Sequence, residues 1–164
     1  MPRILVADDS AQIRSSLIAL LTNEEIWVIC AEAANGEQAV TLAQQLKPDL
    51  IVLDFAMPVM DGLAAAAEIL KLQPSVPIVL FTLHKSEHLE RTAQRIGIRR
   101  VISKSDSSKV LLENLREVWD ESAKTSPVAP GSDSPPKPNQ AAATDDAPPG
   151  LTKIPPKAPP LCSI

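Results

Sequence analysis

The sequence has few aromatic residues and few cysteines. It contains no tyrosine in 164 residues, and its four aromatic side chains are Trp27, Phe55, Phe81 and Trp119. Proteins that bind nucleic acid by stacking bases need several exposed rings, so the composition disfavours a stacking platform. The two cysteines, Cys30 and Cys162, are too few for a disulfide framework. This scarcity favours a reducing compartment and predicts a cytoplasmic location.

Long apolar runs are also missing. The chain reaches Asp8 and Asp9 after only four apolar residues, which is too short a run for a secretory signal. No later run approaches the roughly 20 residues of a transmembrane helix. The formal net charge of −4 argues against a nucleic-acid-binding surface spread over the chain. We therefore expect no secretion, no membrane insertion and no nucleic-acid-binding surface spread over the chain.

Proline divides the chain into two parts. Eleven of the 16 prolines follow residue 121, and the segment 122–164 has no aromatic residue and no periodic apolar pattern. Such a segment cannot bury enough surface to offset its conformational entropy. We expect a folded, acidic domain over residues 1–121 and a disordered Pro-rich tail over 122–164 with polyproline II character. A ligand for an aromatic groove is the alternative for this tail, but its composition favours a solvated segment.

Residues 1–121 alternate between strand and helix patterns. Short apolar runs predict five strands, over residues 4–7, 26–31, 50–53, 78–81 and 101–102. Several of these runs are entirely apolar, as is typical of parallel strands that are covered on both faces. Between them, apolar residues recur with helical spacing, for example at Ile13, Leu17 and Leu20. Five βα units predict an α/β fold with a doubly wound, open parallel sheet.

Polar residues follow four of the predicted strands. Asp8 and Asp9 follow the first strand, Asp54 the third, Thr82 the fourth and Lys104 the fifth. Ligands of such sheets bind outside the carboxyl ends of the strands, so we expect these side chains to converge there. Each has a simpler explanation when taken alone: Asp8 or Asp9 could cap the next helix, and Asp54 could begin a turn. Their shared position favours a functional site.

Carboxylates that lie close together repel each other, and a hard cation relieves the repulsion. Mg²⁺ binds oxygen ligands, typically one or two carboxylates together with phosphate oxygens and waters. A carboxylate in this position can also accept a phosphoryl group and form an aspartyl phosphate. Phosphoryl transfer mainly needs positioning and charge neutralisation. Mg²⁺ and Lys104 would supply the charge, and the Thr82 hydroxyl would donate to a phosphoryl oxygen.

These residues resemble the CheY-like receiver domain of two-component response regulators. The resemblance rests on Asp8-Asp9, on residues 53–62 (LDFAMPVMDG), on Phe81-Thr82 and on Ser103-Lys104, and it covers roughly residues 2–121. It implies a flavodoxin-like five-stranded sheet with strand order 2-1-3-4-5.

The resemblance also implies residue roles. Asp54 matches the phosphoacceptor, and Thr82 and Lys104 match the switch hydroxyl and the phosphate-binding lysine. The Mg²⁺ ligands would be Asp8, Asp9, Asp54 and the backbone carbonyl of Ala56. Ala56 and His84 match positions that flank the path of the water that attacks the aspartyl phosphate, and these positions tune the rate of that hydrolysis. For His84, the alternative is an exposed loop histidine with no such role. A zinc site at His84 and His88 lacks a third ligand.

Two positions depart from the family pattern. Three residues before the lysine, the family usually has Tyr or Phe, whereas this chain has Val101. We therefore expect phosphorylation to be coupled to output more weakly or by another route. After the lysine the family commonly has proline, often with a cis peptide bond. Ser105 occupies that position, and we expect a trans bond because a non-proline cis bond is costly.

The function implied is that of a stand-alone response regulator in a two-component phosphorelay. A sensor histidine kinase or phosphotransfer protein would phosphorylate Asp54, and an unidentified output protein would read the change. Any catalysis would be limited to self-phosphorylation and self-dephosphorylation with Mg²⁺, and a weak homodimer is compatible with this interpretation. One alternative is a docking or scaffold module that works without phosphorylation. A phosphohydrolase is disfavoured, because Ala56 stands where such enzymes commonly place a second Asp.

Overall fold

Strands and helices alternate along the described part of the chain. A computed structural model describes residues 1–125. The strands are β1 (Arg3–Ala7), β2 (Val28–Ala33), β3 (Leu50–Asp54), β4 (Ile78–Thr82) and β5 (Arg100–Ser103). The helices are α1 (Ala11–Thr22), α2 (Gly36–Leu46), α3 (Gly62–Leu72), α4 (Glu87–Ile96) and α5 (Ser108–Thr125).

The strands form one parallel sheet in the order β2-β1-β3-β4-β5. This confirms the predicted α/β fold and its strand order. After β1 the chain passes to one edge of the sheet to form β2, and it then returns across β1 to form β3. The order thus reverses next to β1 and β3, and the carboxyl ends of these two strands open a crevice where ligands bind.

The two faces of the sheet bury separate cores. Along β1, Ile4 and Val6 face one core, while Leu5 and Ala7 face the other. Helices α1 and α5 cover the first face, and α2, α3 and α4 cover the second. The entirely apolar strands are explained by this double cover, because no strand face in the middle of the sheet meets water.

The main differences from the sequence prediction are the position of β2 and the domain boundary; the other strands differ from their predicted ranges by one residue at one or both ends. β2 begins at Val28 instead of residue 26, because Glu25 turns with a left-handed φ of 52° and Trp27 is buried before the strand pairs. Helix α5 continues to Thr125, so the domain boundary expected at residue 121 falls inside this helix. The half-buried Ser122 extends the helix, and its hydroxyl donates to the Val118 carbonyl. The rest of the expected tail, residues 126–164, lies outside the described residues.

Within residues 1–125, none of the helices combines the length and the apolar character that crossing a membrane requires.

Candidate functional site

A buried cluster of charges lies at the carboxyl edge of the sheet. Asp8 directly follows β1 and is 1% exposed, and Asp54 ends β3 and is 3% exposed. Lys104, which directly follows β5, places its Nζ 2.7 Å from Asp8 Oδ2 and 2.9 Å from Asp54 Oδ2. Thr82 ends β4 and is also buried. The parallel topology therefore brings together four of the side chains that the sequence places after strands.

Asp9 completes an acidic group and faces solvent. One carboxylate oxygen from each of Asp8, Asp9 and Asp54 lies within 4.8 Å of the others. Asp8 Oδ1 accepts a hydrogen bond from the Ser10 backbone N–H at 2.9 Å. Its buried Oδ2 has no hydrogen bond of good geometry, although Lys104 lies close to it. An incompletely bonded oxygen beside two further carboxylates fits a hard divalent cation, and the open side at Asp9 leaves room for waters.

The environment of the cluster disfavours the ionised form of the Asp54 carboxyl. Burial raises the pKa of the Asp54 carboxyl above its ordinary value, and the negative charge of Asp8 raises it further. Lys104 and the backbone N–H of Ala56 lower this pKa, but they offset only part of the increase. One ammonium group is thus shared between two buried carboxylates, and a second cation would relieve the remaining negative charge.

The Thr82 hydroxyl is bonded to the loop that follows it. Its Oγ1 accepts a hydrogen bond from the His84 backbone N–H at 3.2 Å, which leaves the hydroxyl proton free to donate. The Lys104 backbone N–H donates to the Thr82 carbonyl at 2.7 Å and joins the ends of β4 and β5. The His84 side chain is exposed, as is Ala56, and no hydrogen bond links the His84 ring to the cluster within residues 1–125. A rate-tuning role for these two residues stays a prediction.

The loop after Asp54 is fixed by close backbone contacts. A Cβ atom on Gly62 would lie 2.1 Å from the Asp54 carbonyl oxygen, so only glycine fits there. The Met60 N–H donates to the Pro58 carbonyl at 2.8 Å and closes a γ-turn over Val59. Val59 has a φ of 70°, which is unfavourable for a β-branched residue. The Gly36 N–H, at the start of α2, donates to the Met60 carbonyl at 3.1 Å. These contacts hold the backbone beside Asp54 in one conformation.

Helix capping does not explain the paired aspartates. The cap of α1 is Ser10, whose hydroxyl oxygen accepts a hydrogen bond from the Ile13 N–H. The peptide bond between Lys104 and Ser105 is trans, as expected, like every other peptide bond in the described residues.

Two contacts of the cluster were not anticipated from the sequence. Arg14 Nη1 donates to the Asp8 carbonyl at 2.8 Å. The Phe81 ring centroid lies 5.9 Å from Lys104 Nζ, within the range of a cation–π interaction. A signal existed for Arg14, because it lies one helical turn after the residue that caps α1 at the edge of the site. Phe81 gave no comparable signal, since an aromatic residue in an apolar strand is usually part of the core.

Comparisons with known proteins agree with this geometry. Residues 4–116 match the model of the response regulator receiver domain. The chain belongs to this family. It is therefore a receiver domain of the kind found in two-component response regulators.

Three similar proteins illustrate the relationship. The transcriptional regulatory protein YdfI of Bacillus subtilis is 34% identical over 115 residues, which cover 70% of this chain and 54% of YdfI. Protein CcdB of the same organism is 33% identical over 118 residues, covering 72% of this chain and 98% of CcdB. A solved CheX–CheY complex of Borrelia burgdorferi with BeF₃ and Mg²⁺ is 25% identical with a TM-score of 0.69, covering 71% of this chain and 88% of the matched chain. The chain thus spans about half of YdfI.

Proposed function

We propose that this receiver accepts a phosphoryl group on Asp54 in a Mg²⁺-dependent step. The observation that supports this most directly is the shared lysine, since Lys104 holds Asp8 and Asp54 together in a buried cluster. Asp54 is the nucleophile in this arrangement, and Lys104 is the fixed positive charge. Asp9 keeps the acidic group open to solvent, from where a metal ion and a phosphodonor can enter.

In the transfer step, an Asp54 carboxylate oxygen forms a bond to phosphorus as the bond between phosphorus and the donor's leaving group breaks. For a phosphohistidine donor, the leaving imidazole nitrogen keeps the electron pair of the broken bond. Asp8, Asp9, Asp54 and the Ala56 carbonyl would hold Mg²⁺, which supplies positive charge to the phosphoryl oxygens. Lys104 binds one phosphoryl oxygen, and the Thr82 hydroxyl donates a hydrogen bond to another.

Phosphorylation changes the charge beside the loop that leads to α4. The phosphoryl group carries about −1.5 to −2 charges and attracts Thr82 and Lys104. Because the Thr82 hydroxyl accepts a hydrogen bond from the His84 N–H, the loop that leads into α4 moves together with Thr82. The surface around α4 and α5 then favours an output protein.

The valine in β5 changes this coupling. Val101 lies opposite Leu80 in the β4–β5 pair and is half-buried against the core, with no ring that could reorient. We expect weak coupling to α4, and NMR spectra of the free and phosphorylated protein measure it. A large shift change across α4 would contradict this expectation.

The partners of this reaction follow from the proposed role. A sensor histidine kinase or a phosphotransfer protein donates the phosphoryl group, and an unidentified protein receives the output without direct DNA contact. The folded receiver would extend to the end of α5, with the Pro-rich segment after it. A cytoplasmic location is part of the same proposal, and the free thiol of Cys30 in β2 fits a reducing compartment.

The experiment is incubation with acetyl phosphate and Mg²⁺, followed by intact mass measurement. One phosphoryl adduct is expected in the wild type, and none in Asp54→Asn or in the presence of EDTA. Asp120→Asn, an exposed residue of α5, is the matched control and should react like the wild type. An adduct on Asp54→Asn would contradict the proposed acceptor. Failure with both acetyl phosphate and a cognate kinase would favour a docking module that works without phosphorylation.

A further inference from the structure

The backbone of Asp8 is held from two directions. Its N–H donates to the Ala33 carbonyl at the end of β2, at 3.1 Å. Its carbonyl accepts the hydrogen bond from Arg14 Nη1 at 2.8 Å. The same guanidinium forms an ion pair with Glu32 of β2, with 3.4 Å between Arg14 Nε and Glu32 Oε2. Arg14 therefore ties the loop between β1 and α1 to the neighbouring strand.

The hydrogen bond from Arg14 to the Asp8 carbonyl determines the orientation of Asp9. The Asp8 carbonyl belongs to the peptide plane that joins Asp8 to Asp9, and a peptide plane rotates as one unit. The bond from Arg14 thus fixes the direction in which the chain leaves β1. The Asp9 side chain has no hydrogen bond or ion pair of its own within residues 1–125. Its position beside Asp8 and Asp54 depends on the backbone alone.

Burial of the Arg14 side chain supports a positioning role. The side chain is 17% exposed, whereas that of Glu32 is 51% exposed. Arg14 is therefore held mainly by the protein on which it packs, and its hydrogen bond to the Asp8 carbonyl is charge-assisted and short. Its charge has the opposite effect on a metal ion, because a nearby guanidinium repels Mg²⁺. If Arg14 acts by positioning the acidic group, replacing it should weaken Mg²⁺ binding. If it acted only through its charge, replacing it should strengthen Mg²⁺ binding.

We infer that Arg14 is a positioning residue for the acidic group, one that orients the Asp8–Asp9 peptide so that Asp9 can bind a divalent cation with Asp8 and Asp54. The metal part of this inference rests on the proposed function. Arg14 acts on the acidic group through its hydrogen bond to the Asp8 carbonyl.

The test compares Arg14→Gln with Arg95→Gln, which removes the same charge from an exposed position on α4. Mg²⁺ affinity is measured by calorimetry. The Kd of Arg14→Gln should rise on the order of tenfold, as expected for the loss of one charge-assisted hydrogen bond. Arg95→Gln should stay within about twofold of the wild type, because a distant exposed charge is screened. Arg14→Lys keeps the charge but cannot make both contacts, so an intermediate Kd is expected.

A second measurement needs no metal. In EDTA, the Ser10 amide, which donates to Asp8 Oδ1, should exchange with solvent on the order of tenfold faster in Arg14→Gln, while the Val6 amide within β1 should not change. Urea unfolding in EDTA verifies that each variant is folded.

The two measurements separate the two proposals. A Mg²⁺ Kd for Arg14→Gln that equals or falls below that of Arg95→Gln would overturn the inference, and so would an unchanged Ser10 exchange rate. A wild type that binds no Mg²⁺ would contradict the proposed function instead. In that case the exchange rate of Ser10 alone decides whether Arg14 positions the loop.

Discussion

Replacing Asp54 with Asn should make the metal-free domain more stable, although it removes an ion pair. The Asp54–Lys104 attraction at 2.9 Å is about 5.7 kcal/mol with an effective dielectric constant of about 20. The Asp8 and Asp54 carboxylates lie within 4.8 Å of each other, so their repulsion is at least about 3.5 kcal/mol on the same basis. The remaining attraction, at most about 2.2 kcal/mol, is smaller than the several kcal/mol that desolvation of one carboxylate costs.

The Asn variant keeps the size of the side chain and leaves Lys104 paired with Asp8 alone. We expect the free energy of unfolding of Asp54→Asn in EDTA at pH 7 to exceed that of the wild type by about 1 to 3 kcal/mol. Urea unfolding followed by far-UV circular dichroism measures the difference. Asp120→Asn makes the same chemical change at an exposed position and should leave the stability within about 0.5 kcal/mol of the wild type.

The raised pKa of Asp54 determines how the stability difference between Asp54→Asn and the wild type changes with pH. The folded-state pKa of Asp54 is raised, so the stability that this carboxyl contributes is fully present below its unfolded-state pKa and is lost as pH rises through the folded-state pKa. Asn cannot ionise and has no such loss. The stability difference between variant and wild type should therefore be small in acid and should widen as pH rises. A less stable Asn variant in EDTA at pH 7, or a difference that does not change with pH, would refute the reasoning.

Three further predictions concern the same edge of the sheet. Lys104→Met leaves two buried carboxylates without a counter-charge and should lower the unfolding free energy in EDTA by about 3 to 5 kcal/mol; an unchanged urea midpoint would argue against the ion pairs. Val59→Asn relieves a left-handed φ of 70° at an exposed position and should raise the unfolding free energy by about 1 kcal/mol, whereas destabilisation in urea would contradict the γ-turn geometry. Saturating Mg²⁺ should stabilise the wild type by about 2.7 kcal/mol at 100 times its Kd. Asp9→Asn should lose most of that gain in a thermal unfolding assay, and retention of the full gain would exclude Asp9 as a ligand.

The sequence was sufficient for the fold and for placing Asp54, Thr82 and Lys104 at one edge of the sheet. Apolar runs separated by helical periods specify βα units, and parallel strands place their carboxyl ends along one edge. Asp54, Thr82 and Lys104 each follow such a run, so their meeting is a consequence of topology. Their convergence can be predicted from the strand topology without knowing how the side chains pack.

The different environments of Asp8 and Asp9 could not be predicted in the same way. Asp8 still donates its N–H to β2, so its side chain keeps the direction that the strand imposes and is buried in the crevice. Asp9 lies beyond the last residue that pairs with β2, and its side chain faces solvent. Which of two adjacent aspartates is the last to pair depends on where β2 ends, and the sequence prediction misplaced that strand by two residues at each end.

The choice of partner for Lys104 was equally beyond the sequence. Three carboxylates and one lysine allow several pairings, and in the folded protein Nζ lies between Asp8 and Asp54 and within reach of both. This placement has a cost, because neither buried carboxylate has a positive charge of its own. A cluster arranged only for stability would match each buried carboxylate with one cation, or would replace them with apolar residues. The excess of negative charge instead matches the needs of a ligand that brings positive charge. For this reason the stabilisation expected from Asp54→Asn in EDTA and the stabilisation expected from Mg²⁺ in the wild type have the same physical origin.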